Sequence, residues 1–445
     1  MAITYDTLGS TVTINPVGAV AAQQLNTEVA IVGGYDSANA DGNVTAGEAT
    51  VVYSAGEAAS MFGADSELAY QTALAISMGA TAVHGIPVAE TSETENFGSS
   101  SATDSGTLSA DPQDPRVHPD EDITAQDVTE GQSVTVNIVD ASPPSNPSSS
   151  NEMNLNPDTG EWAADDTSEY DISFTSGDYA EAIDTASQRV VRYAAICAER
   201  DSIATEAQTE LEQEASNFRF GRAVIGSKVA IDPTATASYT PAVEDWRVVE
   251  IAPARATDAD DNAVRTVGAL AGLLAYQPID VTGSITYDSV SNAFNSLNTK
   301  FSPSQAESFT QVTAITDNYE IAQGVTTSAE SAFRDIYAVE IIDYAVEQLY
   351  ERVKDYRGGS NAQDARRVFG SRLKRALDLM SAPAAQPPLL ATGVGGQPYT
   401  VSVSRGDTDF EADVNIGIEV APIAKEVDLD LDVGPIEFVG ASVAE

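Results

Sequence analysis

Any fold of this 445-residue chain has to accommodate 68 carboxylates against only 22 basic side chains, a formal net charge of −46. The imbalance is sharpest at the start, where residues 1–115 hold 14 Asp and Glu and no Lys or Arg. Of the 22 bases, 17 are Arg and 5 are Lys. In dilute salt such a surface repels itself and destabilises the compact state. In molar salt the Debye length contracts to about 3 Å and the repulsion is screened. Acidic, Lys-poor chains can instead be disordered, but long stretches here show regular apolar periodicity and 42% of the residues are apolar. The composition points to the cytoplasm of a salt-loving host. It also argues against direct binding of nucleic acid, which needs a basic surface.

The length exceeds what one core usually organises, so two or three domains are expected. No run reaches the roughly 18 apolar residues of a membrane span, so membrane insertion is not expected. Met1 to Asp6 has neither a basic nor an apolar signal region, and Cys197 is alone, so an intrachain disulfide is impossible. These features predict a protein made and assembled in a cytoplasm.

Along the chain, Val12 and Ile14 alternate with Thr11, Thr13 and Asn15, predicting a short strand with no nearby partner. Val29 to Gly34 reads as a buried strand. A helix is predicted from Ser66 to Met78, stopped by Gly79, and a strand from Ala80 to Val88. From about Thr91 to Asp178, Asp, Ser, Thr, Pro and Gly dominate around strand-like pieces at Ser133–Val139 and Tyr170–Phe174. Asp158-Thr159-Gly160 is a turn signal between strands. After Tyr179 the α/β texture resumes, with a helix read through Val190, Ala194 and Cys197 and a strand at Ala223–Ile225.

The last third is the most regular. Phe333, Ile336, Tyr337, Ile341, Tyr344, Ala345 and Leu349 recur at helical spacing, Gly358-Gly359 breaks the pattern, and Phe369, Leu373, Ala376, Leu377 and Met380 form a second stripe. Three alternating strands follow, on Tyr399/Val401/Val403, Val414/Ile416/Ile418/Val420 and Val427/Leu429/Leu431/Val433.

The order of these pieces resembles the tail sheath family of contractile phages, pyocins and type VI-like injection systems. The resemblance rests on Val29 to Gly34 followed by Met61-Phe62-Gly63, Leu68 and Gly79-Ala80; on Tyr170 to Phe174 with Asp178-Tyr179; on Gly324-Val325-Thr326-Thr327 before Phe333 and Asp335-Ile336; and on Asn415 to Ile423. It spans most of the chain without a strict motif. It implies an α+β multidomain subunit: an α/β sheath core with an inserted small all-β domain and extended N- and C-terminal arms. The expected division is an arm at 1–20, α/β core at 21–90 and 179–330, a surface β insertion at 91–178, a tube-facing domain at 331–425 and an arm at 426–445. Such subunits form a homo-oligomer of stacked hexameric rings around a tail tube, with baseplate and tail terminator proteins at the ends. Contraction drives the tube through a host envelope, without enzymatic activity or cofactor. With the acidity, this reading places the chain in the virion tail of a haloarchaeal virus, assembled in the host cytoplasm. A cellular injection system and a halophile surface-layer or adhesin protein are the alternatives.

Two features are candidate contact sites. Residues 351–375 hold Arg352, Lys354, Arg357, Arg366, Arg367, Arg372, Lys374 and Arg375 against three carboxylates, a net +5. In the resemblance this region faces the tube, so it is read as a grip on an acidic tube protein; an intramolecular or inter-sheath ion-pair belt is the other reading. The second is the pair of arm strands, Val12 and Ile14 at one end and Val427, Leu429, Leu431 and Val433 at the other, which either augment a neighbour's sheet or pair within their own chain. Other motifs fall short. Gly33-Gly34 lacks phosphate-loop spacing and reads as a turn. Asp258, Asp260 and Asn262 have calcium-loop spacing, but Ala263 and Ala269 replace the required Gly and Glu. His84 and His118 share no ligand cluster, so no metal site is expected, and Asn43-Val44-Thr45 is a short glycosylation pattern that chance also produces.

Overall fold

The structure, a computed structural model, describes residues 3–7, 10–16, 27–98, 103–110, 112, 123–157, 159–189, 191–216, 219–228, 231–258, 262–276, 289–291, 293–356, 361–381, 390, 397–405 and 412–420. For 3–7, 10–16 and 354–355 only the backbone is described. The chain opens with a hairpin, β1 (Ile3–Thr7) and β2 (Ser10–Pro16). The strand at Val12 and Ile14 therefore does have a nearby partner, contrary to the sequence reading. β1 precedes it across a two-residue link, and its few polar-flanked residues carry no signal of their own.

Next come β3 (Glu28–Gly33), β4 (Thr50–Val52), α1 (Ala55–Phe62), α2 (Glu67–Ser77) and β5 (Ala82–Pro87). α2 begins where the sequence predicted: the Ser66 hydroxyl accepts from the Ala69 amide, and Gly79 leaves the helix at a φ of 117° that an L side chain resists. Seven strands then follow: β6 (Ala89–Phe97), β7 (Thr103–Thr107), β8 (Thr124–Asp127), β9 (Gln132–Ile138), β10 (Glu152–Leu155), β11 (Glu161–Ser168) and β12 (Tyr170–Asp178). They form one sheet in the order β6-β12-β8-β9-β10-β11-β7. Its apolar cluster includes Leu108, Met153, Leu155, Trp162, Tyr170, Ile172 and Phe174. The sheet curls until its edges approach: Phe97 of β6 meets Trp162 of β11 edge-on at 5.0 Å, and the Glu95 carboxylate accepts from the Ser109 and Ala110 amides.

The chain then returns through α3 (Tyr179–Ser187), β13 (Tyr193–Ile196), α4 (Asp201–Ser216), β14 (Arg222–Gly226), β15 (Val248–Ala252), β16 (Arg255–Thr257), β17 (Ala263–Arg265), α5 (Val267–Tyr276), β18 (Ser296–Leu297), α6 (Pro303–Ser308) and β19 (Thr313–Ala314). A helix through Val190, Ala194 and Cys197 is not what forms. α3 ends at Ser187, and Tyr193 to Ile196 is a wholly buried strand; Val190 lies outside the described residues. A run as uniformly apolar as Tyr-Ala-Ala-Ile-Cys-Ala has no polar face to mark its period, so only its neighbours decide between helix and strand.

The central sheet has the order β19-β15-β14-β13-β3-β5-β4, parallel throughout except for β4. Strand alternation sorts its side chains. Val29, Ile31, Val83, Ala195 and Val224 face α1, α2 and α5, while Ala30, Val32, Ala194, Ile196 and Ala223 face α3 and α4. α5 is buried on every side because α2 crosses it at a stripe of small residues: a methyl at Gly272 would lie 2.3 Å from the Ala75 carbonyl oxygen.

α7 (Ile336–Tyr356), α8 (Gln363–Ser381), β20 (Tyr399–Arg405) and β21 (Ala412–Ile418) complete the described chain. Ile341, Ala345 and Leu349 of α7 and Phe369, Leu373, Leu377 and Met380 of α8 pack with Tyr399, Val414, Ile416 and Ile418 into one cluster, matching the predicted stripes. The hairpin's β2 joins this sheet from just over 400 residues away, running parallel to β21 with Val12 opposite Val414 and Ile14 opposite Ile416.

Candidate functional site

The position of α7 and α8 is set by buried charge. Glu340 and Asp343 lie one turn apart on α7 and face the N-terminal ends of three strands of the central sheet. Glu340 accepts from Arg192 and from the Tyr193 hydroxyl. Asp343 accepts from Arg222, and from Arg247 in a two-pronged fork at 2.7 and 2.8 Å. The Arg247 guanidinium also lies 3.8 Å from the Trp246 ring centroid. Arg222, Arg247 and Arg192 are all buried, at 2%, 1% and 7% exposure. Burial opposes the charge on Arg192, but Glu340 beside it prevails and holds its pKa above the ordinary value. α8 is then held to α7 by the stacked rings of Tyr356 and Phe369, 4.2 Å apart and nearly parallel, and to β20 by the Tyr399 hydroxyl donating to Asp378.

This scaffold displays the basic cluster. Arg367, Arg372, Lys374 and Arg375 are exposed on α8, while Arg352 on α7 and Arg366 on α8 are half-buried. Arg366 donates to Asn361, and Arg367 pairs with Asp364 at 3.4 Å, with side chains 80% and 87% exposed. Arg372, Lys374 and Arg375 form no ion pair among the described residues. The side chain of Lys354 and all of Arg357 lie outside the described residues, as do Val427, Leu429, Leu431 and Val433. α8 also exposes two large apolar side chains that sequence reading passed over, Val368 at 52% and Leu379 at 66%. Arg367, Arg372, Lys374 and Arg375 therefore face solvent on α8, and the last three have no carboxylate partner among the described residues.

At the opposite, C-terminal end of the parallel strands lies the crevice where open α/β sheets commonly bind ligands. Here it is filled from within. Glu67 at the start of α2 takes both oxygens to Arg265 at 2.6 Å; Arg265 reaches Glu199 at 2.7 Å, and Arg255 approaches Glu199 at 3.5 Å. A methyl at Gly33 would lie 3.0 Å from the Cys197 sulfur, and burial pushes that thiol's pKa well up. Gly33 thus serves close packing at the end of β3. Beside it, a cleft of about 600 Å³ separates Asp140, Asn156 and Glu161 of the β6–β12 body from Arg200, Asp201 and Lys228 of the core. Its bases are engaged in place, Lys228 with Asp201 at 3.4 Å and Arg200 with the Ala110 carbonyl at 3.2 Å. Among the described residues, no three His, Cys, Asp or Glu side chains are grouped to hold a metal, and no helix is long and apolar enough to cross a membrane.

No family model and no curated protein matches the sequence. Solved structures do match. A chain of the anti-feeding prophage helical sheath in its contracted state has a TM-score of 0.52 at 11% identity, over 93% of this chain and 95% of that one. A chain of the six-fold symmetrised anti-feeding prophage baseplate also reaches 0.52 at 11% identity, over 95% and 96%. The PVC sheath complex of an extracellular contractile injection system, contracted, reaches 0.50 at 9% identity, over 95% and 96%. At these identities the likeness is one of fold, and it runs nearly end to end: the chain has the fold of contractile sheath subunits.

Proposed function

We propose that this chain is the repeating subunit of a contractile sheath, polymerising as stacked hexameric rings around an inner tube and shortening to drive that tube through a cell envelope. The observation that carries this is the correspondence over 93% of this chain and 95% of a chain of the contracted anti-feeding prophage helical sheath. The β6–β12 body is larger than the share of the chain left unmatched, so what is shared extends beyond a common α/β core. In this reading residues 91–178 are a surface insertion, 331–425 the tube-facing domain, and 1–20 and 426–445 the arms. The hairpin's ladder on β21 supports the arm assignment, because a parallel pairing made across a long connection can be made equally by a neighbour's hairpin, as in domain swapping. The apolar and carboxylate faces of 426–433 suit them to strand augmentation on the same sheet.

The basic cluster at 351–375 is the contact to an acidic tube protein. Arg372, Lys374 and Arg375, exposed and without an ion pair among the described residues, favour this over an intramolecular ion-pair belt. Baseplate and terminator proteins would meet the two ends of the stack. The charge of −46 suits assembly in the cytoplasm of a halophilic archaeon, and a tailed virus of such a host is our preferred source. A cellular injection system is a second reading, favoured by one matched structure being the sheath complex of an extracellular contractile injection system; capsid and terminase genes beside this one would decide for the virus. Negative-stain microscopy of the purified chain in molar salt tests the function. Striated tubes are expected, and a monodisperse monomer under all salts and concentrations would reject it.

A further inference from the structure

Val368 and Leu379 are two of six large apolar side chains exposed among the described residues, and they share one helix. They are eleven positions apart, three turns, with Arg372 and Arg375 between them. At about 100° per residue the four side chains fall within a sector of roughly 60° on one flank of α8. Spacing of four, three and four is how a helix presents anchors to a partner. The two carboxylates on the exposed side of α8 are already occupied, Asp364 by Arg367 and Asp378 by the Tyr399 hydroxyl. The flank is thus an apolar–cationic stripe, 368-372-375-379, on a chain whose net charge is −46.

A purely ionic grip would be a poor device for such a protein. In molar salt the Debye length is about 3 Å, and exposed ion pairs lose most of their value. Apolar contacts do not fade with added salt. We infer that the tube surface gripped by α8 is an apolar ridge bordered by carboxylates, with Val368 and Leu379 as anchors and Arg372 and Arg375 setting register and excluding basic partners. This rests on the tube-facing role proposed above. It narrows that contact to the flank of α8 bearing Arg372 and Arg375.

The test pellets the full-length chain with preformed tubes of the tail tube protein from the same particle, at about 0.5 M and about 3 M KCl. Two double variants are compared, Val368→Ser with Leu379→Ser, and Arg372→Gln with Arg375→Gln. All four positions are exposed, so both should match wild-type circular dichroism. The apolar pair should weaken tube binding about tenfold at both salts, from the apolar area it leaves wet. The arginine pair should weaken it at low salt and approach wild type at high salt. An apolar variant that binds like wild type at high salt, beside an arginine variant that fails at low salt, overturns the inference and leaves the tube-facing role standing. A wild-type chain that polymerises but never pellets with tubes overturns both. Loss of self-assembly in the apolar variant without any tube present assigns the stripe to a second copy of the chain, and the inference is then wrong.

Discussion

Asp343 holds two guanidiniums that are almost fully buried, so its removal is not the loss of one ion pair. Asp343→Ala leaves the charges of Arg222 and Arg247 facing each other out of water, and should cost about 3–5 kcal/mol of stability. Asp364→Ala, which breaks an exposed pair with Arg367, should leave the melting temperature unchanged. Thermal melts of the two variants check the contrast. Glu250 gives a pH signature. It is 1% exposed and accepts from the Tyr239 hydroxyl and the Ala242 amide, and burial lifts its pKa from 4.5 to about 7. Below 4.5 the carboxyl is protonated whether the chain is folded or not. Between 4.5 and 7 the unfolded chain gives up the proton first, so this group's contribution to stability is lost as pH rises, by up to about 3 kcal/mol, and the slope ends above 7. Melts across this window should fall less steeply for Glu250→Gln. A slope of the same sign should persist from Asp245, which burial lifts from 3.8 to about 6. The buried pairings were not legible in the sequence, because Asp343 lies 121 positions from Arg222 and 96 from Arg247 and nothing local marks any of them.

Elements with both a complete apolar stripe and a cap were legible. α2 has Ser66 before it and Gly79 after it, and the buried residues of α8 are those read from spacing alone. α5 was missed because Val267 to Ala275 is buried all round and shows no polar face. Its crossing with α2 is set by Gly268, whose amide donates to the Gln71 side chain, and by Gly272 against Ala75. Gly272→Ala should therefore destabilise by about 1–3 kcal/mol despite its better helix propensity, since the added methyl meets backbone that has no room to move. Chemical denaturation monitored by circular dichroism reads this out. At the chain's end, deleting Glu426 to Glu445 should leave a folded subunit that no longer polymerises, as judged by sedimentation and microscopy. Normal tubes would show that the segment is not an arm, and an unfolded product would show that it completes its own subunit's core.

Across the whole molecule, scarce positive charge is spent unevenly. Arg192, Arg222, Arg247, Arg255 and Arg265 are buried against carboxylates, which leaves few bases on the outer surface to offset its remaining acids. Buried pairs are little affected by dissolved salt, whereas the self-repulsion of the surface grows as the Debye length lengthens to about 10 Å at 0.1 M. Lowering salt from molar to about 0.1 M should therefore dissociate any assembly and then unfold the chain cooperatively. Circular dichroism and sedimentation followed down a salt series test this, and signals constant across it would refute the expectation.

The sequence by itself determined what depends on near neighbours: an α/β texture interrupted at about Thr91 and resumed at Tyr179, two amphipathic helices before a β end, and a surface that demands screening. It also showed where positive charge gathers, since 351–375 stand out in any window of that length. Tertiary structure decided the rest. Whether Tyr193 to Ile196 would be strand or helix depended on β3 and β14 lying on either side of it. Which face of α8 would offer apolar anchors depended on β20 and α7 covering the other. Which arginines would vanish into the core depended on carboxylates brought from distant parts of the chain, as Glu67 was to Arg265. Periodicity is written between residues a few positions apart, whereas burial and pairing are settled only when segments hundreds of residues apart compete for the same space.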